Sequence, residues 1–318
     1  MFWSHILIFI VFCLLLVRSG TWVVSSLVRI AKVLGWRKFV VASILVAFAT
    51  SLPELFIGII SALHQKPQLS FGNIIGANII NLTLGVAIGV LLAKGLKCQT
   101  VLIQRSSIYA SIIAFFPIIL ILDGRVSRID GIILLSVLIF YFKYLFREQK
   151  KFTKVFINKF RKDWTRFKLF LKDLGIFLGG IILLLLSAEG IVYSVSNLAK
   201  SLNLPLVTIG IFLVALGTTL PEISFGVSSI IMGQKEFILG NILGSVVINS
   251  TLVLGLVALI SPFEIYNFSP YLIGIIFTAV TCLFFAVFSR TGKEITKKEA
   301  FVLLAIYVLF VVSQLVIK

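Results

Sequence analysis

Ala47-Phe-Ala-Thr-Ser-Leu-Pro-Glu54 recurs as Ala215-Leu-Gly-Thr-Thr-Leu-Pro-Glu222, and Gly72-Asn-Ile-Ile-Gly-Ala-Asn-Ile-Ile-Asn81 recurs as Gly240-Asn-Ile-Leu-Gly-Ser-Val-Val-Ile-Asn249. Both copies lie 168 residues downstream of their originals, and the same shift lays Ala31-Lys32 on Ala199-Lys200. One ungapped register over so long a stretch marks an internal duplication.

The repeated segments sit in a chain that is 59% hydrophobic and 13% charged over 318 residues, with a mean hydropathy of +1.13. That leaves too little polar surface to coat a soluble globule. Apolar runs of about 20 residues, enough helix to cross the hydrocarbon layer, recur throughout. Ten are predicted, at 2–20, 38–64, 69–93, 106–122, 131–147, 173–197, 205–232, 237–261, 270–289 and 300–317. They are too long and too little alternating for barrel strands. The first lacks a basic start and leads into more membrane-seeking sequence, so it reads as a helix and not a cleaved leader. Residues 21–37 either extend it or lie along the interface.

Five spans per copy is an odd number, so the second copy enters the membrane from the opposite side. The expected fold is an all-α membrane protein of ten transmembrane helices, arranged as two inverted five-helix repeats with helices 2 and 7 broken. The first repeat covers 1–146, a basic cytoplasmic loop 147–172, and the second repeat 173–318. Inverted repeats built around a midplane site are the architecture of secondary transporters.

The net charge of +17 would suggest a nucleic-acid partner in a soluble protein, but its placement reads as topology. With the N-terminus outside, twenty-two Lys and Arg fall on the inner side and five (Lys66, Arg125, Arg128, Lys200, Lys318) on the outer. Both termini are therefore expected outside. Ten of the inner residues crowd 147–172, a linker that hugs anionic headgroups. Cys13, Cys98 and Cys282 show no metal-ligand spacing and are expected as free thiols. Short loops suggest a prokaryotic inner (plasma) membrane.

Of twelve acidic residues, only Glu54, Glu189 and Glu222 fall well inside spans. A carboxylate at that depth costs several kcal/mol unless it meets a polar cavity or a counter-charge. Glu54 and Glu222 are repeat mates and each follows a proline, which removes an amide donor and frees a carbonyl one turn back. The carbonyls near Ala47 and Ala215 thereby become oxygen ligands. Thr50 and Ser51, then Thr218 and Thr219, lie three or four residues before the glutamates, on the same side of the helix. Asn73, Ala77 and Asn81 fall at i, i+4 and i+8, as do Asn241, Ser245 and Asn249, and these polar stripes complete an oxygen-only cage. Such a cage suits hard cations such as Na⁺ and Ca²⁺, whereas Zn²⁺ or Cu⁺ would call for His and Cys. With only His5 and His64 available, no zinc hydrolase site can be assembled, so no enzyme is expected.

The paired Thr-Ser/Thr-Leu-Pro-Glu and Gly-Asn-x-x-Gly motifs resemble the α-repeats of the sodium/calcium exchanger (cation/Ca²⁺ antiporter) superfamily, in particular its compact prokaryotic members. The resemblance implies that Glu54 and Glu222 are central ligands, with Thr50, Ser51, Thr218, Thr219, Asn81, Ser245 and the backbone of Ala47 and Ala215 around them. It also implies that several Na⁺ ions move against one Ca²⁺, with helices 1 and 6 sliding against the other eight. No cofactor and no obligate protein partner are expected. Ala77, Val246 and Asn249 depart from the family pattern, which usually has serine, asparagine and often aspartate at these places. Ala77 bears on a Na⁺ site, and Asn249 argues against the potassium-dependent branch. A proton/Ca²⁺ antiporter of the same superfamily is the alternative, and a cation channel a more distant one. Glu189 is left outside the site, either paired with Arg18 or at the interface.

Overall fold

The computed structural model describes residues 2–33, 40–98, 101–150 and 164–316. The arms of the basic linker belong to helices, while 151–163 lies outside the described residues, as do Arg37, Lys38 and Lys318. The first half holds α1 (Phe2–Val33), α2 (Val40–Thr50), α3 (Leu52–Leu63), α4 (Pro67–Ile80), α5 (Val86–Ala93), α6 (Val101–Leu120) and α7 (Arg128–Lys150). The second holds α8 (Trp164–Leu202), α9 (Leu206–Ile209), α10 (Ala215–Ile231), α11 (Glu236–Ile248), α12 (Leu254–Ile260), α13 (Ser269–Phe288) and α14 (Lys297–Val316). Among the described residues, eight helical segments are long and apolar enough to cross a membrane. α1 runs on to Val33, so the ambiguous stretch after residue 20 extends the first helix as far as it is described.

The duplication is visible in the elements. α4 passes through a π-helical turn, Asn81–Gly85, into α5, and α11 passes through Asn249–Val253 into α12. α6 and α13 carry the same 168-residue offset. α4 is buried continuously from Leu69 to Ile80, its polar Ser70, Asn73 and Asn78 included. It can sit so deep because two glycines let backbone meet backbone: a Cβ on Gly72 would stand 2.2 Å from Val207 O, and one on Gly76 2.0 Å from Ile211 O. α1 and α8 pack along each other through Leu16, Val23, Leu184, Ala188, Ile191 and Val195. Their remaining faces carry exposed Leu7, Leu14, Leu178, Ile182 and Leu186, a lipid-facing surface.

Two short antiparallel ribbons tie the halves together. β1 (Leu96–Lys97) pairs with β4 (Glu294–Ile295), and β2 (Arg125–Val126) pairs with β3 (Phe263–Glu264).

The expected breaks in helices 2 and 7 differ from each other. The second span is interrupted at Ser51, between α2 and α3, with Pro53 in the first turn of α3. The seventh is not broken at its proline, because α10 continues as α-helix through Pro221. Its irregularity lies earlier, in a π-helical turn at Gly210–Val214. Proline in a helix interior costs one hydrogen bond, and tight packing of both flanking turns lets the helix carry that loss.

Candidate cation site

Glu54 falls in the first turn of α3, where unpaired amides and the helix dipole favour a negative charge. Glu222 sits one residue after Pro221 inside α10. Both are sealed from solvent, at 0% and 1% exposure, and close enough for their charges to repel. An ionised carboxylate moved out of water without compensation costs several kcal/mol. Yet all four carboxylate oxygens lack a hydrogen-bond partner among the described residues. Thr218 stands beside Glu54, and Thr50 and Ser245 beside Glu222, but the geometry turns these hydroxyls toward neighbouring oxygens instead.

Those neighbours are arranged reciprocally. Thr50 Oγ1 on α2 is 3.1 Å from Asn241 Oδ1 on α11, and its repeat mate Thr218 Oγ1 on α10 is 3.1 Å from Asn73 Oδ1 on α4. Each hydroxyl also reaches back to its own chain, Thr50 to Ala47 O at 3.2 Å and Thr218 to Ala215 O at 3.3 Å. Ser245 Oγ is 3.1 Å from Thr50 Oγ1 and 3.4 Å from Ala47 O. Thr219 donates to Ala215 O, whereas Ser51 Oγ has no partner among the described residues. A hydroxyl owns one proton, so Thr50 can satisfy only one of the three oxygens around it. The cluster has more lone pairs than protons, the electrostatic condition that a cation relieves.

Asn81 and Asn249 open the two π-helical turns of α4–α5 and α11–α12 and are fully buried, with neither the oxygen nor the nitrogen of either amide paired. A π-turn widens the helix and is frequent at functional sites. Such turns leave no trace in residue spacing, so sequence reasoning named the asparagines without the turns. Asn73 and Asn241 each engage a threonine through the oxygen and leave Nδ2 unpaired. Every polar side chain of the predicted site is buried between α2–α3, α4, α10 and α11, and Ala47 and Ala215 lie with them. Sequence reasoning missed Asn78, whose Nδ2 donates to Ser250 Oγ at 2.7 Å. No cluster of three or more His, Cys, Asp or Glu exists among the described residues, so the donors are mostly neutral oxygens.

Glu189 belongs elsewhere. It is half exposed on α8 and pairs with His64 Nε2 at 2.7 Å. Arg18, the partner weighed from sequence, lies over the Trp22 ring instead. Glu189 also faces Lys66, whose pKa is lowered by desolvation and by Lys200, with Glu189 opposing.

Membrane-length helices closed around two buried carboxylates and a ring of neutral oxygens define a polytopic membrane protein with a candidate site for hard cations. The chain belongs to the sodium/calcium exchanger protein family, whose model matches residues 4–147 and 172–316. The sodium/calcium exchanger MaX1 of Methanosarcina acetivorans is 29% identical over 343 residues, covering 97% of both chains. The inner membrane protein YrbG of Escherichia coli is 26% identical over 264 residues, covering 80% of both. The fold matches that of the sodium-calcium exchanger NCX_Mj soaked with 100 mM Na⁺ and 10 mM Sr²⁺, with a TM-score of 0.68 and 23% identity over 98% of this chain and 99% of that one.

Proposed function

We propose that the protein is a secondary antiporter that exchanges Na⁺ for Ca²⁺ by alternating access, with Glu54 and Glu222 jointly holding the divalent ion. The observation that carries this is the burial of both carboxylates, without a hydrogen-bond partner among the described residues, inside a ring of side-chain and backbone oxygens that contact one another. Two carboxylates neutralise one Ca²⁺, and the clusters at Thr50 and Thr218 supply the neutral oxygens that suit Na⁺. The sodium/calcium exchanger named among the relatives supports the same ion pair.

Ten spans in two inverted repeats, divided at 1–146, 147–172 and 173–318, account for the contacts between loops. β1–β4 joins two loops assigned inside, as does Lys235 Nζ on Ala93 O at 2.7 Å. β2–β3 joins two loops assigned outside, as does Arg128 Nε on Leu259 O at 3.2 Å. Each contact stays on one side only if α7 also crosses, and α2–α3 as a further crossing completes the ten. The basic residues then place both termini outside, in keeping with a prokaryotic inner membrane. Tags at the N-terminus and at residue 155 should report opposite faces in sealed, oriented vesicles, and equal protease access to both would refute the topology.

The moving part is the α1–α8 pair. At its inner end Arg29 Nε holds Asp173 Oδ1 at 2.7 Å, clamping the two helices into one body. Where α1 crosses the site it presents Gly20, where an added Cβ would stand 3.4 Å from Pro221 and 3.6 Å from Pro53. A small residue at that crossing leaves a smooth track for sliding.

The deciding measurement is ⁴⁵Ca²⁺ uptake into proteoliposomes under imposed Na⁺, K⁺ or H⁺ gradients. Uptake that needs an opposing Na⁺ gradient and responds to membrane potential is expected. Uptake driven equally well by a pH gradient with Na⁺ absent would transfer the assignment to a proton-coupled antiporter.

A further inference from the structure

Glu189 and His64 join two parts of the molecule that the proposed cycle moves against each other. His64 caps the C-terminus of α3, in the frame that carries the cation site, and Glu189 lies on α8, in the sliding pair. Both side chains are half exposed and meet at 2.7 Å, Nε2 to Oε1, on the face assigned outside. The duplication supplies an internal control. At the 168-residue offset, the counterparts of Glu189 and His64 are Thr21 on α1 and Met232 at the C-terminus of α10. Thr21 donates to Arg18 O of its own helix at 2.7 Å, and Met232 is 71% exposed. A hydroxyl and a thioether form no ion pair, so this contact between sliding pair and frame is built at the outer end and has no equivalent at the corresponding inner place.

We infer that His64 and Glu189 form a one-sided proton latch, which slows the sliding of α1 and α8 when the outer side turns acid. This rests on the sliding-pair reading above. Imidazole is the side chain that changes charge between about pH 5 and 8. When His64 is a cation, its bond to the Glu189 carboxylate is charge-assisted; a neutral ring makes a weaker one. Sliding must break the contact, so a stronger contact raises the barrier. Lys66, in the same turn as His64, is in electrostatic reach of both Lys200 and Glu189 on α8. The two lysines oppose a charge on His64 and Glu189 favours it, and of the three Glu189 holds the direct hydrogen bond. On α1, His5 packs against Tyr193, one turn beyond Glu189. α2, α4 and α12, the other helices against α3, carry no titratable side chain.

The test reads ⁴⁵Ca²⁺ flux at saturating Ca²⁺ in sealed, oriented vesicles while the outer pH is lowered from about 8 to about 5.5 and the inner pH is held. The maximal rate of wild type should fall about threefold, the scale of one exposed ion pair. His64→Gln, Glu189→Gln and the double variant should lose that response alike. Protonation of Glu54 or Glu222 would instead weaken Ca²⁺ binding and be relieved at high Ca²⁺. An effect seen only below saturating Ca²⁺ therefore overturns the latch, as does a response kept in both single variants or one set by the inner pH alone. The motion is tested apart from the latch, by joining His64→Cys to Glu189→Cys with a short thiol cross-linker, which should arrest exchange. Full exchange by the cross-linked protein would remove the sliding pair, and the latch with it. Arrest together with a wild type whose maximal rate ignores outer pH overturns the latch and leaves the sliding pair standing.

Discussion

Glu54 and Glu222 are buried, repeat-related and unpaired among the described residues, while Glu189 is half exposed, has no carboxylate twin and already has a hydrogen-bond partner in His64. All three lie in apolar helices, so depth alone does not distinguish them. What separates them is whether the protein itself answers the charge. A carboxylate that the fold has paired is a structural contact. A carboxylate that the fold has buried and left without a partner is a candidate for holding a transported ion.

The sharpest way to break that contrast is to neutralise each acid in turn. Glu54→Gln or Glu222→Gln keeps shape and one acceptor oxygen but removes half the carboxylate charge that the proposed function assigns to Ca²⁺. Ca²⁺ exchange should fall by about a hundredfold or more, the scale of losing a desolvated charged contact. Both variants should insert and fold, because neutralising an unpaired buried acid relieves a desolvation cost. Monodisperse elution in detergent checks folding and ⁴⁵Ca²⁺ flux checks function. Normal transport by either variant would put the site elsewhere.

A smaller effect is expected at Asp173, which resembles Glu189 in having a partner and Glu54 in being mostly buried. Asp173→Asn leaves Arg29 with a neutral acceptor. Because Arg29 is itself half exposed, screening holds the loss to about 1 kcal/mol or less. The melting temperature in detergent should drop by about 2–4 °C at most, and transport should slow if α1 and α8 must move together. A variant with wild-type melting and turnover would remove the clamp from the proposal.

The least change is expected from Glu189→Gln or His64→Gln. Exposed pairs contribute about 0–1 kcal/mol, so Ca²⁺ flux should stay within about fivefold of wild type. Loss of transport in Glu189→Gln while Glu54→Gln remains active would invert the comparison altogether.

The helical membrane character, the duplication and the burial of the candidate residues were legible in the chain, because each rests on local information. Apolar length predicts a crossing helix, and a motif repeated at a constant offset names its own counterparts. The break at Ser51 was also readable, since Pro53 follows two residues later. Pro221 misled, because whether a helix continues through a proline depends on the packing of the turns around it, and that packing is not local. The π-helical turns at Asn81 and Asn249 were invisible for a similar reason, as one extra residue in a turn leaves hydrophobic periodicity almost unaltered.

Sequence by itself determined that this is a helical membrane protein built twice, with two glutamates and a set of neutral oxygens at equivalent places. Tertiary structure alone decided which oxygens meet. Thr50 finds Asn241 and Thr218 finds Asn73 across the repeat boundary, and Glu189 finds His64 and not Arg18. The physical reason is range: helix propensity and hydrophobic spacing act over a few residues, whereas these partners lie more than a hundred residues apart and are brought together only when the two halves interlock.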